Sequence, residues 1–323
     1  SKLKVGLLCL AALLFSPLSA QAQAFPSKPM RIIVPFAPGG ATDVLARMFG
    51  GEMQKHWGQP VVVENKPGAG GNVGADLVAK SAPDGHTLLV GYNGPIAVNV
   101  SLFSNLPYDP LKDLAPVTLA VTTPQFLTVH PSVPANTVGE LIALAMKDPG
   151  KLTYASIEIG SASHLTMEML KAAAGVDILH VPHRGSAPAI TAILGGTVDM
   201  GFFVPGNVLA HVKAGKLKIL AASGAKRFEA QPDVPTMIEA GFKDFEASAW
   251  IGFLAQGQTP RPIIDRYNRE IVRILRTPEV RDKLLAVNFE MVASTPEYFG
   301  EWIRKEIPRW AAIIKQTGAK ANQ

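Results

Sequence analysis

A short apolar run, a glycine-rich turn and a helical pattern follow one another twice near the start of this chain. That unit constrains the fold more than any other feature. Residues 31–36 (RIIVPF) lead into Pro38-Gly-Gly-Ala-Thr-Asp43 and a helical pattern over 42–56. Residues 61–64 (VVVE) lead into Asn65-Lys-Pro-Gly-Ala-Gly-Gly-Asn-Val-Gly74 and a helical pattern over 72–80. Residues 86–92 form a third β-rich run. Parallel strands need a connection long enough to hold a helix, so this alternation predicts a doubly wound α/β layer.

The order restarts after Pro131. Thr137-Val-Gly-Glu140 is a capping box before an apolar helix that stops at Pro149-Gly150. Strands are predicted at 153–156, 178–180, 200–203 and 217–222. Helices fall at 163–174 and 187–194, with one more ending near Gly215. After a last β-like run, 249–255, only helical segments follow, at 260–276, 278–287 and 296–316. Each has proline near its start, where the missing N–H costs little. Helices with no strand of their own pack most simply on the first sheet. The chain then crosses twice between two α/β lobes, near 123–129 and 248–253. Lobe 1 is discontinuous (25–125 and 249–323) and lobe 2 spans 126–248. No low-complexity linker intervenes, so the joint is a hinge. Gly50-Gly51 inside the first helical pattern implies compensating packing or a bend.

Residues 1–24 stand apart. Lys2 and Lys4 precede an apolar run over 5–15, and Ala20-Gln-Ala22 and Ala22-Gln-Ala24 are both cleavage signals. This predicts a secretory signal peptide cut near Ala24; the run is too short to span a bilayer. Cys9, the only cysteine, lies within it, leaving no disulfide, thiolate or Cys metal site. With Lys2 and Lys4 set aside, the formal charge is about +3. There is no Lys/Arg-rich run, which argues against nucleic-acid partners. An exported protein of the periplasm, monomeric and without cofactor or metal, is expected.

A helix N-terminus presents unpaired N–H groups and a partial positive charge. Glycines allow a ligand close to the backbone, and Thr42 adds a hydroxyl, so the first turn favours an anion. The alternative is a plain helix cap made by Thr42 or Asp43. The second turn misses the dinucleotide fingerprint by one place, and no acidic residue ends the next strand. Neither turn continues as a P-loop. Gly160-Ser-Ala-Ser-His164 echoes Gly40-Ala-Thr-Asp43 at another strand-to-helix junction, which suggests two lobes facing across a cleft. Ser163 beside His164 invites a nucleophile reading, but helix neighbours do not face each other and no G-x-S-x-G elbow is present. His180-Val-Pro-His183 lacks a third metal ligand nearby. Arg184 could grip a carboxylate or form an ion pair. Phe202 and Phe203 end a strand aimed at the cleft, or fill the core.

Phe25-Pro-Ser-Lys-Pro-Met-Arg-Ile-Ile-Val-Pro-Phe-Ala-Pro-Gly-Gly-Ala-Thr-Asp43 resembles the mature start of the Bug proteins, the substrate-binding proteins of tripartite tricarboxylate transporters. Similar matches occur at Gln59–Asn72, Ala82–Gly85, Leu106–Pro110, His130–Ser132, Gly160–His164, His180–Pro182, Arg184–Ser186 and Lys213–Lys216, and the likeness spans residues 25–318. The resemblance implies two α/β lobes of the periplasmic binding protein kind, closing like a flytrap, with no catalysis. It implies a carboxylate held by Gly39, Gly40, Ala41, Thr42 and Asp43, and by Ala69, Gly70, Gly71 and Asn72. It adds Ser161, Ser163 and His164 from lobe 2, with Arg184 and Asp199 near strand ends.

Three positions depart from the family pattern: Glu158, His183 where tyrosine is common, and Phe203 where aspartate is common. The last points to a more apolar far wall, hence a small organic acid, aromatic or other carboxylate, as ligand. Glu158 opposes a second carboxylate if it lines the cleft. Transfer to membrane transporter subunits is the implied role. A sensor role through a two-component kinase and a periplasmic hydrolase or isomerase are the alternatives.

Overall fold

The structure is a computed structural model that describes residues 24–39, 41–157, 160–183 and 185–320. Residues 1–23, where a signal peptide is expected, and Gly40, Glu158 and Arg184 among the candidate residues, lie outside the described residues.

The sheet of lobe 1 is built around β1 (Met30–Val34), whose near-continuous apolar sequence is buried on both faces. Parallel to it run β2 (Val61–Asn65) on one side and β3 (Thr87–Tyr92) on the other. The connecting helices are α1 (Ala41–Trp57) and α2 (Asn72–Ala79). A short helix, α3 (Asn99–Leu102), follows β3. β4 (Leu114–Thr123) then carries the chain to lobe 2 and β5 (Phe126–Val129).

Lobe 2 continues with α4 (Val138–Lys147), β6 (Thr153–Ser156), α5 (Ala162–Ala174), β7 (Leu179–Pro182), α6 (Ser186–Leu194), β8 (Met200–Phe203), α7 (Pro205–Lys213) and β9 (Lys218–Ala222). β10 (Ala249–Gln256) returns to lobe 1, followed by α8 (Arg261–Leu275), α9 (Pro278–Ala286), β11 (Glu290–Met291) and α10 (Pro296–Thr317).

The strand orders are β11-β4-β10-β3-β1-β2 and β7-β6-β8-β5-β9. The sheets are mixed rather than wholly parallel. In each, three strands from local crossovers are parallel. The strand next to them, β10 or β5, runs antiparallel because it has just come from the other lobe. β2-β1-β3 and β7-β6-β8 therefore have the same winding. The chain leaves the central strand, pairs on one side, then crosses to the other. Such a switch opens a crevice at the C-terminal strand ends.

β4 is a ten-residue strand that the sequence reading leaves unassigned up to Thr123, where the crossover is placed. Pro116 disguises it. This residue sits at an irregularity in the β10 pairing, and β11 pairs only with Val121 and Thr122, so no ladder bond is required of it on that side.

α1, α8 and α9 cover one face of the first sheet, with Phe49, Tyr267 and Ile271 in the core. α2 and α10 cover the other, with Val78, Phe299 and Trp310. The terminal helices thus do pack on the first sheet. Gly50 and Gly51 lie inside an unbroken α1. A Cβ on Gly50 would come within 3.2 Å of Val61, so this glycine lets the helix approach the sheet; no contact explains Gly51.

The two crossing segments are bolted together. Gln125 Nε2 donates to Thr166 Oγ1 (2.7 Å) and to the Ala247 carbonyl (3.0 Å), while Ser223 Oγ donates to the same carbonyl (2.9 Å). Leu165 of α5 is buried in the lobe 1 cluster with Phe299, Ile303 and Trp310. The lobes are therefore packed together at the root of the cleft.

Candidate functional site

The turns after β1 and β6 occupy equivalent places in the two windings, and their sequences align as Gly39-Gly-Ala-Thr-Asp-Val-Leu-Ala-Arg47 and Gly160-Ser-Ala-Ser-His-Leu-Thr-Met-Glu168. Both are closed by the same bond. In the first, the Gly39 N–H donates to Asp43 Oδ2 at 3.0 Å. In the second, the Gly160 N–H donates to His164 Nδ1 at 2.9 Å. Each helix begins with a side chain that reaches back four residues and fixes its own approach loop. That leaves first-turn N–H groups without intrahelical partners.

Asp43 is a frame residue. Besides Gly39 it accepts from Arg47 Nε (3.1 Å), Arg47 Nη2 (3.0 Å) and Asn65 Nδ2 (2.9 Å). Hydrogen bonding from Arg47, aided by Gly39 and Asn65, holds its carboxyl at about 2 even though burial opposes ionisation. Asn65 also donates to the Phe36 carbonyl (3.0 Å), tying β2 to the turn. Thr42 is buried, and its hydroxyl makes no hydrogen bond to the described residues.

The second glycine turn is a single 3-10 turn, Ala69–Gly71. Two of its residues are engaged internally. The Gly71 N–H donates to the Gly68 carbonyl (3.0 Å). Asn72 is buried, its Oδ1 2.6 Å from Asn99 Nδ2 and 3.1 Å from the Tyr108 hydroxyl. The Gly71 and Gly39 N–H groups and the Asn72 Oδ1 thus help to hold the two turns.

Asn99 also donates to the Gly70 carbonyl (3.0 Å). One turn further along α3, Leu102 presses on Gly160. α3 thereby links the second glycine turn of lobe 1 to the serine turn of lobe 2.

In lobe 2, Ser161 caps α5, its hydroxyl accepting the His164 N–H at 3.3 Å. Ser163 Oγ accepts the Ile157 N–H (3.0 Å) and lies 3.0 Å from Ser161 Oγ. Ser163 and His164 are each engaged with other partners, so they do not form a nucleophile–base pair. The His164 ring stacks on His180 (centroids 4.2 Å, 7° between planes), and His180 stacks on Tyr154 (4.7 Å, 13°). His180 Nε2 is 2.7 Å from Ser156 Oγ. Burial is the main cause that lowers the pKa of both histidines, and it pushes His180 to about 4.

His183 donates its backbone N–H to the Ser156 carbonyl (3.0 Å), which brings it to the crevice edge of β6. Its Nδ1 is buried without a partner among the described residues. Among the described residues no group of three metal-ligating side chains is found.

Two expectations are corrected. Asp199 lies at the opposite end of the sheet. Its carboxylate accepts the Thr153 N–H (2.8 Å) and hydroxyl (3.1 Å) at the start of β6, a strand length from the crevice. Phe203 does not wall the cleft: it is 1% exposed, packed with Phe126, Ala155, Ile190 and Phe228. Its ring folds back over Gly201, whose missing side chain makes the room.

Sequence reasoning missed Arg47, Asn65, Asn99, and the pair Phe36–Tyr92. Those two half-buried rings meet edge to face at 4.4 Å where β1 and β3 end. The Asp43-x-x-x-Arg47 spacing was a readable signal for the first. The partners of Asn65 and Asn99 are set by tertiary structure alone.

Two lobes of this topology, with a helix N-terminus from each at the crevice, define a solute-binding protein. Residues 45–319 match the tripartite tricarboxylate transporter family receptor, TctC, and the chain belongs to that family. It is 38% identical over 317 residues to BugT of Bordetella pertussis, covering 98% of this chain and 97% of that protein. Among solved structures, R. palustris Rpa4515 with adipate superposes with a TM-score of 0.81 at 32% identity, covering 92% of this chain and 99% of that one. MatC from Rhodopseudomonas palustris with bound malate gives 0.77 at 35% identity, covering 90% and 100%. BugD, another similar structure, is a periplasmic binding protein, and the family is periplasmic. Among the described residues no helix is long and apolar enough to cross a membrane.

Proposed function

We propose that this protein captures a small organic acid by its carboxylate between the two lobes, without chemical change, for transfer to the membrane subunits of a tripartite transporter. The observation that carries this reading is the pair of equivalent turns, each preorganised by its own side-chain-to-glycine bond. The Thr42 hydroxyl and the first-turn N–H groups of α1 remain as donors, opposite the serine turn of the other lobe. Similar proteins have been solved with adipate and malate, which supports a carboxylate.

The ligand body is hydrocarbon or aromatic. Val44 and Val73, each 48% exposed, stand in the first turns of α1 and α2, and the half-buried Phe36–Tyr92 pair meets where β1 and β3 end. This support replaces Phe203. A few charge-assisted hydrogen bonds of roughly 1.5–3 kcal/mol each, less ordering costs, give a dissociation constant on the order of micromolar.

The test is a thermal-shift screen followed by calorimetry with adipate, malate, benzoate, phthalate, citrate and amino acids, with mass spectrometry of the recovered ligand. A rise in Tm with adipate or an aromatic acid, recovered intact, is expected. Stabilisation by citrate or amino acids alone would overturn the apolar body, and conversion of the ligand would overturn the binding role.

A further inference from the structure

The bond that closes the lobe 2 turn depends on a neutral ring. His164 Nδ1 is the acceptor for the Gly160 N–H, so the ring must carry its hydrogen on Nε2. A protonated imidazole donates from both nitrogens and accepts nothing. Gly160 is in turn the residue that meets the other lobe. Its φ is +80°, and a Cβ there would stand 2.2 Å from Leu102 Cδ2. Loss of the His164 acceptor would therefore act at the one turn that carries Ser161 and Ser163 and touches α3.

The ring of His164 is not free to swing away. It lies flat on His180, which lies flat on Tyr154. The stack is anchored at both edges: His180 Nε2 at Ser156 Oγ, and the Tyr154 hydroxyl donating to Glu168 Oε1. The charged and titratable groups facing it are Glu168 and Lys171 from α5, paired at 2.9 Å, with Lys171 Nζ 5.6 Å over the Tyr154 ring, and His183 beyond β7. Glu168 favours a proton on the histidines, whereas Lys171 disfavours it. Two stacked imidazolium rings at 4.2 Å would repel each other.

We propose that His180 is a positioning residue and His164 a titratable latch: the stacked, neutral pair holds the Gly160–Ser163 turn ready for ligand, and acid releases it. This rests on the carboxylate-binding reading for its consequence but not for its test. Lobe 1 has no such sensitivity, because Asp43 fills the equivalent place as an anion that stays ionised to about pH 2.

The experiment is amide hydrogen exchange at Gly160 in ligand-free protein, with ¹⁵N-histidine spectra to follow ring protonation, at pH 7.5 and 4.5. The wild-type protection factor is expected to fall at least tenfold as His164 protonates. His164→Asn, which keeps an acceptor but does not titrate, should hold its protection at both pH values. His164→Ala should lack protection at both. His180→Phe, which keeps a flat ring, should behave as wild type, and His180→Ala should lose protection at pH 7.5.

Gly160 protection unchanged through His164 protonation, or an equal fall in His164→Asn, would overturn the proposal. A parallel titration at a pH where the ¹⁵N spectra show His164 protonated should show adipate binding about tenfold weaker to wild type than to His164→Asn. Failure of adipate to bind either protein at any pH would count against the ligand reading, and the exchange data would still decide the latch.

Discussion

The two turns at the crevice solve the same geometric problem with different chemistry. Both place an acceptor four residues after a glycine and both take that glycine's N–H. Lobe 1 uses a carboxylate ringed by a guanidinium, an amide and a backbone N–H. Lobe 2 uses an imidazole held by stacking, with only one of its nitrogens committed to the turn. The geometry needs an acceptor but not a charge. Charge-assisted bonds are roughly twice as strong as neutral ones. Lobe 1 should therefore be the rigid half, and lobe 2 the half that responds to conditions.

Removing each acceptor is the severest test of that difference. Asp43→Ala strands Arg47, Asn65 and the Gly39 N–H, and should lower stability by roughly 3 kcal/mol in denaturant unfolding while abolishing ligand binding. His164→Ala strands one backbone N–H and loses a stacked ring, and should cost about 1–2 kcal/mol. Equal losses would erase the distinction.

The glycines at the mouths of the turns provide a second contrast. Gly39 and Gly160 both have positive φ, but a Cβ on Gly39 would meet nothing within 4 Å, whereas one on Gly160 would collide with Leu102. Gly39→Ala should cost only the backbone term, about 1 kcal/mol. Gly160→Ala should cost roughly 2–3 kcal/mol, and Leu102→Ala in the same chain should restore part of it. Differential calorimetry of the four proteins measures this coupling directly. Additive effects would mean that the lobes do not meet at this point in solution.

Acid separates the lobes by pH window and by cause. The pKa of His180 lies below that of a free histidine because burial disfavours its charged form. Between pH 6.5 and about 4 the unfolded chain then binds more protons than the folded one, so stability falls as pH falls across that range. Discounted for partial exposure, the loss is about 1–2 kcal/mol, and His180→Phe should flatten it. The pKa of Asp43 is also lowered, but because hydrogen bonding from Arg47 favours its charged form. Its contribution is present above about pH 3.8 and disappears as pH falls towards 2. Urea midpoints taken every half pH unit should show the two steps apart.

Thr42 and Ser163 also occupy equivalent places but hold different duties. The Thr42 hydroxyl is uncommitted, whereas that of Ser163 accepts the Ile157 N–H. Thr42→Val should weaken binding about tenfold with the Tm unmoved, the signature of a ligand donor. Ser163→Ala should lower the Tm as well, because it leaves a backbone N–H without its acceptor.

Much of this was legible in the sequence. The alternation of apolar runs and helical patterns gave two α/β lobes, and the likeness of Ala41-Thr-Asp43 to Ala162-Ser-His164 marked the paired turns. Their four-residue back-bonds are local, so spacing could reveal them. What spacing could not reveal was how each polar group is spent. Asn72 looks like a ligand donor until Asn99 and Tyr108, far away in sequence, are seen around it. Asp199 follows a turn and precedes a strand, and only the sheet order shows that it sits at the wrong end. The parallel stack of His164, His180 and Tyr154 comes from three separate elements and has no sequence signature.

The mildest prediction concerns the last residues of the equivalent strands β3 and β8. Tyr92 is half-buried, its hydroxyl 3.4 Å from the Gly70 carbonyl, and its ring meets Phe36 between the two glycine turns. Phe203 is sealed in the core of lobe 2. Position along the strand is the same, but Tyr92 is half-buried at the strand end whereas Phe203 is sealed. Phe203→Leu should therefore cost about 1 kcal/mol of stability from lost packing and leave calorimetric affinity within twofold. Tyr92→Leu should change affinity several-fold for any acid with an apolar body. If Phe203→Leu instead shifts the preference between aliphatic and aromatic acids, the ring of Phe203 must turn into the cleft when ligand binds. The two strand ends would then be alike in function as well as in position.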